Sequence, residues 1–374
     1  MEPFMIEPEP IIIETLTPIW TGGVNGKSTA IKETGIIGSM RWWYEAIVRG
    51  IGGYACDPIN TISEQRCTLD GKEKTEDERN KKMCPVCYLF GCGGWKRRFR
   101  LEIVDSGAKE TFHLATLDSG AGNYWWLSTI FEKNLNENLS FGKFTFKIYL
   151  IGRDNQSEII NQIKSLLSIM SHVGAIGAKN QYGFGQFEME DRMDFQNALN
   201  EINNFSNKDE FKKEANKPDW YSLSNFWCYE FKIPVKNQLI QRFQKSNIIG
   251  NKSLSTSYLP VSFDIRYKLP NHNKGSGLRQ AYYVHCNGDK KQVRKIFGTL
   301  PKSEKKEGGI GSRIFVSHLF REMSEEDYYF LRVWGFTKKD VGDLVSTEIK
   351  KMFSLKEVPK MKYEEEINNF LGGA

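Results

Sequence analysis

Cysteine spacing marks the first place in this 374-residue chain where the residue types could do chemistry. Cys84-Pro-Val-Cys87 is a C-x-x-C turn, a spacing that presents two thiolates to one zinc ion. Cys67 would supply a third thiolate, and the fourth would come from Cys56 or Cys92. We take Cys56 as the fourth ligand, so the sequence predicts a structural zinc site formed by four cysteines.

Other interpretations of these cysteines are weaker. A structural disulfide is not expected in a cytoplasmic chain. A redox role for C-x-x-C needs a thioredoxin-like context, which the surrounding sequence lacks. Because a second C-x-x-C pair is absent, the remaining alternative is a set of cysteines without metal.

Residues 174–187, with the sequence GAIGAKNQYGFGQF, form the second candidate site. Glycines allow positive φ angles and let backbone amides approach a phosphate closely. Lys179 adds charge, and Tyr182 and Phe184 offer faces on which a base could stack, as does Trp20 upstream. The predicted RNA contacts in this glycine loop are Gly177, Lys179, Tyr182, Gly183, Phe184 and Gly185.

Positive charge is concentrated in residues 231–288, where nine bases accompany one acid, Asp264. This segment carries +8, whereas the net charge of the whole chain is +6. Such segregation predicts a surface that faces a polyanion, with Lys252 and Lys274 as RNA contacts. The alternative is a solvated, lysine-rich face.

Three shorter segments add basic candidates. Lys96, Arg97 and Arg98 open a basic run, which could instead protect an edge strand by charge. Lys27 lies in a glycine-rich loop that resembles a P-loop but has one residue too few between its glycines, so we expect phosphate contact without NTPase activity. Arg313 ends a second glycine loop, GGIGSR.

The five histidines do not form a recognisable catalytic group. No two have helical metal-ligand spacing, and none accompanies a carboxylate pair. His172 adjoins the glycine loop and is the histidine expected nearest to RNA; its alternative role is a favourable charge at a helix C-terminus.

Hydrophobic periodicity predicts the order strand, helix, strand, strand, helix, strand over the first half of the chain, which is a ferredoxin-like arrangement. The predicted strands there are 9–20, 98–105, 110–117, 141–151 and 184–190, and the helices are 36–48 and 156–170. In the second half the predicted strands are 226–234, 261–269, 281–286 and 314–319, and the helices are 290–297, 324–334 and 338–353.

The predicted fold class is α+β, with two tandem ferredoxin-like (RRM-like, βαββαβ) domains, a cysteine-containing insertion and C-terminal helices. The first domain is expected at 1–190 with the insertion at 51–95, a linker or surface helix at 191–218, and the second domain at 219–374. A hydrophobic content of 40% favours a globular chain. Without an apolar run of about 20 residues or a signal peptide, we expect a cytoplasmic protein that does not contact membranes.

Three motifs resemble the RAMP superfamily. IKETGIIGSMRWWYEAIVRG at 31–50 is similar to its first helix, and CPVCYLFG at 84–91 is similar to a "CPxCxLFG" element of several RAMP subunits. TPIWTGG at 17–23 together with Arg41-Trp-Trp43 looks most like a RAMP subunit of type III-B CRISPR (Cmr) effector complexes. The resemblance covers residues 15–190 well and continues more weakly in IGSRIFVS at 310–317.

The resemblance implies RNA binding within a ribonucleoprotein that uses a guide RNA against invading RNA. It would place Lys27, Arg41 and Lys179 at RNA phosphates, with single-stranded guide or target RNA and the other subunits of the complex as partners. Relatives that cut target RNA carry an aspartate after the first strand, whereas residues 15–32 here contain no acid. The prediction is therefore a subunit that binds RNA without cutting it.

Two alternatives stay open. One is a metal-independent endoribonuclease of the same superfamily that processes guide RNA, for which cleavage dependent on His172 would be the evidence. The other is a scaffold whose basic surfaces contact acidic partner subunits instead of RNA.

Overall fold

The fold is described from a computed structural model, which covers residues 8–23, 28, 30–58, 66–105, 109–113, 136–152, 155–245, 257–267, 269, 276–299, 309–322 and 325–371. Strands β1 to β11 are, in order, Glu9–Thr15, Phe99–Asp105, Lys109–His113, Asn136–Ser140, Lys143–Leu150, Phe187–Met189, Phe226–Pro234, Tyr258–Leu259, Ile314–Val316, Leu319–Phe320 and Tyr328–Phe336. Helices α1 to α11 are, in order, Glu33–Gly50, Glu76–Asn80, Pro85–Phe90, Gln156–Val173, Phe195–Ser206, Gln238–Lys245, Ser262–Tyr267, Leu278–His285, Lys290–Phe297, Lys339–Met352 and Glu364–Leu371.

The N-terminal sheet has the ferredoxin-like strand order β2-β5-β1-β6, with every neighbouring pair antiparallel. Alternation in β1 places Ile11 and Ile13 in the core, where they pair with Phe146 and Phe144 of β5. Strands β3 and β4 form a separate two-stranded sheet. The predicted ferredoxin-like unit is therefore confirmed.

Helices α1 and α4 lie against this sheet because each carries one continuous apolar face. In α1 that face includes Ile36, Met40, Tyr44 and Ile47, all at 0% exposure. Helix α4 continues to Val173, three residues beyond the predicted end. Helix α5 lies within the predicted linker 191–218 and buries its apolar residues in the same core.

The C-terminal sheet has the order β7-β11-β10-β8, with β9 also pairing with β11. Its longest pairing joins β7 to β11 along their full lengths. The prediction of a helix at 324–334 is wrong, because this segment contributes most of β11. Its aromatic and β-branched residues suit a strand that is buried on both faces, as the burial of Phe330, Leu331, Val333 and Trp334 shows.

The predicted strands at 261–269 and 281–286 are also wrong, since these segments form most of α7 and α8. The first segment alternates apolar and polar residues, but it also places Val261, Ile265 and Leu269 at helical spacing. All three side chains are buried in one core cluster, Ile265 on the helix and the other two beside its ends. The helix leaves Phe263 and Tyr267 stacked on another face, with ring centroids 4.2 Å apart.

Aromatic packing joins the two sheets. Trp42 of α1 lies 4.9 Å from the ring of Tyr221, 6.0 Å from Phe315 and 5.2 Å from Phe336. Large aromatic side chains packed edge to face dominate such contacts. Within the described ranges, no helix is both long and apolar enough to cross a membrane.

Candidate functional site

Four thiols meet in one buried cluster, formed by Cys56, Cys67, Cys84 and Cys87. Their sulfur atoms all lie within 4.8 Å of one another, and those of Cys56 and Cys87 are 3.4 Å apart. Sulfurs around a tetrahedral zinc ion lie about 3.8 Å apart, given Zn–S bonds of about 2.3 Å. The predicted set of four cysteines is therefore brought together, and Cys92 is not part of it.

Local backbone structure orients these cysteines. Cys84 precedes α3 as its N-cap, and Pro85 occupies the first helical position. The Cys87 amide donates to Cys84 Sγ at 3.5 Å, and the Cys84 amide donates to Cys67 Sγ at 3.2 Å. Amides that donate to sulfur favour the thiolate form, which is the form that binds metal.

Helix α1 supplies charge to the cluster through Arg41, Glu45 and Arg49, in which the Glu45 carboxylate pairs with both arginines. The Arg41 guanidinium donates to Cys87 Sγ at 3.3 Å and to the Gly91 carbonyl at 2.7 Å. Burial lowers the pKa of Arg41, but Cys87 and Glu45 outweigh burial and raise it. The structure thus places Arg41 over the thiols, whereas the family resemblance implied a place at an RNA phosphate.

The thiols differ in acidity. Hydrogen bonds from Cys67, Cys84 and Cys87 lower the pKa of Cys56. Burial raises the pKa of Cys84, and hydrogen bonding to Cys56 raises the pKa of both Cys67 and Cys87. Four sulfurs this close can all ionise together only beside a cation, and soft thiolates prefer zinc among the common divalent ions. The donor set therefore fits a metal of this kind.

The glycine loop lies directly against residues 17–20, and its backbone amides donate to protein acceptors. Ala178 donates to the Trp20 carbonyl at 2.8 Å, and Gly185 donates to the Pro18 carbonyl at 2.9 Å. The Gly177 amide donates to the Ser39 hydroxyl at 2.9 Å. These amides are directed into the protein, so they do not form the predicted phosphate cradle.

The glycines are required by close packing. Gly177, Gly183 and Gly185 have φ angles of 82°, 96° and 83°, which favour glycine. A Cβ atom on Gly177 would lie 2.7 Å from the Trp20 carbonyl oxygen, and one on Gly183 would lie 2.6 Å from His318 Nδ1. Close packing therefore accounts for these three glycines, where the sequence predicted RNA contact.

Two of the predicted stacking residues are inside the protein. Trp20 and Phe184 are each 1% exposed, with ring centroids 5.7 Å apart, so neither ring has a face open to a base. Lys179 is half-buried, and its ammonium lies 3.6 Å from the Trp20 ring centroid. Tyr182 is half-buried at the surface of the loop.

Tyr182 begins a stack of three rings that continues through Phe263 and Tyr267, which we call the aromatic ladder. Its ring centroids are 6.4 Å and 4.2 Å apart, with interplanar angles of 23° and 27°. The Arg279 guanidinium lies 5.8 Å from the Tyr267 ring. Sequence reasoning missed Phe263 and Tyr267, although two aromatics four residues apart are a helical signal.

The basic run at 96–98 is mostly engaged with its own segment. Arg97 donates to the Phe99 carbonyl at 2.6 Å. Arg98 is buried, with its guanidinium 5.1 Å from the Tyr88 ring. Lys96 is exposed, and its RNA contact stays a prediction.

Of the remaining predicted basic contacts, one lies within the described residues and three lie outside them. Arg313 donates to the Asp219 carbonyl at 2.6 Å and lies at the edge of a groove near the junction of the sheets. Lys27, Lys252 and Lys274 lie outside the described residues.

His172 is packed between elements and is buried, with 8% of its surface exposed. Its Nε2 lies 3.0 Å from the Met193 carbonyl, and its Nδ1 lies 2.6 Å from the Tyr363 hydroxyl. The Phe195 ring contacts it edge-on and stacks on Tyr363 at 4.0 Å. Burial lowers the pKa of His172 to about 4.

Comparison with known proteins finds a family match over the part of the chain that holds the N-terminal sheet and the motifs along it. Residues 12–188 match the sequence profile of the RAMP superfamily. The predicted family is thus confirmed. No curated protein matches the sequence.

The solved structures that resemble this chain include Cmr1 and chains of a Cmr complex. One is Cmr1 from Pyrococcus furiosus in its apo form, with 13% identity, a TM-score of 0.45, and coverage of 88% of this chain and 87% of that chain. Another is a chain of the type III-B Cmr-beta bound to cognate target RNA, with 12% identity, a TM-score of 0.44, and coverage of 92% and 99%. A further Cmr-beta structure, with target RNA, AMPPnP and ssDNA, gives 12% identity, a TM-score of 0.46, and coverage of 93% and 99%.

Proposed function

We propose that this chain is a non-catalytic RNA-binding subunit of a cytoplasmic type III-B CRISPR effector complex, where it positions single-stranded guide or target RNA. The match to the RAMP superfamily supports the RNA ligand, and the resemblance at 17–23 and 41–43 supports the type of complex. The observation that carries the proposal is the aromatic ladder between the glycine loop and α7.

The ladder has the composition of a single-strand binding surface. Each unpaired base stacked on an aromatic ring contributes about 1–3 kcal/mol, whatever the base. Lys179 precedes Tyr182 by three residues in the chain, and the Arg279 guanidinium lies 5.8 Å from the Tyr267 ring, so basic residues accompany both ends of the ladder. Stacking needs bases that are not paired, which favours single-stranded RNA over duplex.

The position of His172 supports a non-catalytic role. The endoribonuclease alternative relied on this histidine as its acid or base, but Phe195 and Tyr363 enclose it. A general acid must come within hydrogen-bond reach of the reacting group. RNA on the ladder would not meet the imidazole in this conformation.

RNA binding by the purified chain tests the proposal. The double variant Lys179→Ala/Tyr182→Ala should bind a single-stranded RNA oligonucleotide about tenfold more weakly by fluorescence anisotropy, with the salt slope lower by about 0.7. The matched control is Lys72→Ala/Tyr149→Ala, which removes the same residue types outside the ladder and should bind normally.

The outcomes separate the three functions. No RNA binding by the wild-type chain, or equal affinity for the two double variants, would contradict the proposal and favour the scaffold. RNA cleavage in EDTA that is lost in His172→Ala would instead establish the endoribonuclease.

We also infer that the four-cysteine cluster holds a structural zinc ion. Cys56, Cys67, Cys84 and Cys87 would be its ligands, and the ion would join the segments around Cys56 and Cys67 to α3. Structural zinc contributes to folding directly and takes no part in a reaction. Arg41 would offset part of the negative charge of the four thiolates.

A further inference from the structure

A basic pocket lies beyond the far end of the aromatic ladder, between α8 and α9. Its volume is about 390 Å³, within the range typical of small-molecule sites. The pocket is lined by Tyr267, Arg279, Gln280, Tyr283, Lys290, Val293 and Arg294. Tyr267 therefore belongs both to the ladder and to this wall.

Helical spacing explains how these side chains converge. Arg279 and Tyr283 are four residues apart on α8, and Lys290 and Arg294 are four apart on α9, so each pair shares one helix face. A tight turn joins the two helices, with Gly288 at a φ of 81°.

All charged residues in the described lining of the pocket are positive. Among the described residues, Arg279, Lys290 and Arg294 make no ion pair, whereas the neighbouring Lys295 pairs with Asp219 at 3.5 Å. The nearby carboxylate of Asp289 caps α9 by accepting from the Lys291 and Gln292 amides. Burial raises the pKa of Asp264, on α7, to about 8, so that carboxyl is mostly neutral at pH 7.

The pocket also offers apolar and aromatic surface. Val293 is 4% exposed and forms part of its wall, while Tyr267 and Tyr283 are half-buried. Aromatic faces bind a base, and unpaired guanidinium and ammonium groups bind phosphate, preferably in pairs. The pocket thus offers aromatic surface for the base of a nucleotide and basic groups for its phosphate.

We propose that this pocket binds one unpaired nucleotide of an RNA strand that continues from the aromatic ladder. Its base stacks on Tyr267 or Tyr283, and its phosphate is held by Arg279 and Arg294. The inference rests on the proposed RNA-binding function but adds a defined endpoint for the strand. A free nucleoside phosphate is the competing source of the same chemistry.

The test uses the full chain with a single-stranded oligouridine RNA, and with UMP and AMP as free nucleotides. Arg279→Gln/Arg294→Gln should weaken RNA binding about tenfold and lower the salt slope by about 1.4, the value for two lost phosphate contacts. The control Lys72→Gln/Lys81→Gln removes two exposed charges elsewhere and should bind normally. In the wild-type chain, 4-thiouridine RNA should cross-link to peptides containing Tyr267 or Tyr283.

Each outcome decides one proposal. RNA binding that depends on Lys179 and Tyr182 but is equal in the Arg279/Arg294 variant and its control, without cross-links at the pocket, would overturn the pocket inference alone. Loss of UMP or AMP binding with unchanged RNA affinity would also overturn it, since the pocket would then serve free nucleotides. Absence of any RNA binding by the wild-type chain would instead contradict the proposed function.

Discussion

Glu230→Gln tests how the two sheets are held together. The Glu230 carboxylate lies on β7, 2.8 Å from the Arg332 guanidinium and 2.7 Å from the Lys362 ammonium. Arg332 also reaches the N-terminal half, where it donates to the Ser171 carbonyl at 3.0 Å and to Gln186 Oε1 at 3.2 Å. Removing the carboxylate leaves this buried guanidinium without its counter-charge.

The pKa of Glu230 determines how much stability the substitution should remove. Burial raises that pKa, but Arg332 and Lys362 outweigh burial and lower it from 4.5 to about 2. One pKa unit corresponds to about 1.4 kcal/mol, so the ionised carboxylate stabilises the fold by about 3 kcal/mol at pH 7. This agrees with the loss of about 3–5 kcal/mol when one partner of a buried ion pair is removed.

The sign of the pH dependence follows from the same shift. Because the folded-state pKa lies below the unfolded-state pKa, the stabilisation is complete above about pH 4.5 and is lost as the pH falls toward 2. The wild-type advantage over Glu230→Gln should therefore shrink from about 3 kcal/mol at pH 7 to about 1.5 kcal/mol at pH 3. Lowered pKa values at His172 and His318 affect both proteins equally.

Urea unfolding followed by tryptophan fluorescence measures the effect. Glu348→Gln is the matched control, since Glu348 pairs with Lys351 at the surface and its loss should cost less than about 0.5 kcal/mol. A Glu230→Gln protein within about 1 kcal/mol of wild type at pH 7 would refute the reasoning. So would a difference that does not shrink on acidification.

Two further predictions concern the cysteines and the glycine loop. Purified protein should contain about one zinc per chain by mass spectrometry, with zinc lost in Cys84→Ser and kept in the control Cys286→Ser; much less than one zinc in the wild-type chain would contradict the site. Gly183→Ala should lower the unfolding free energy by more than about 2 kcal/mol in urea titrations, because its Cβ would meet His318 in a positive-φ backbone. Gly22→Ala, with no atom within 4 Å of the added Cβ, should stay within about 0.5 kcal/mol of wild type, and equal losses in the two variants would refute the packing argument.

The sequence predicts those elements whose periodicity permits one interpretation. Helices α1 and α4 each have a single apolar face, so their positions follow from spacing alone. Residues 261–269 satisfy a strand and a helix pattern equally, and burial of Val261, Ile265 and Leu269 in the tertiary structure decides for the helix. Strand β11 is buried on both faces, so its sequence lacks the alternation of apolar and polar residues by which a strand is recognised.

The same distinction applies to the candidate sites. The cysteine cluster was predictable because two of its ligands have a fixed local spacing and the others had few competitors. The function of the glycines was not predictable from the sequence. Gly183 is required because the loop packs closely against His318, which lies far along the chain. A glycine-rich pattern indicates that another group approaches the backbone closely. It does not show whether that group is a phosphate or a neighbouring strand, because both require glycine.

The contacts of Tyr363 bear on when the protein can fold during its synthesis. Its hydroxyl and ring complete the environment of His172 and Phe195, which otherwise belong to the N-terminal core. Translation proceeds at about 5–20 residues per second, so the ribosome needs roughly 10 to 35 s to pass from the N-terminal unit to this tyrosine. During that time the N-terminal unit has an uncovered aromatic surface, and chaperones or early-binding partners would find it most accessible then.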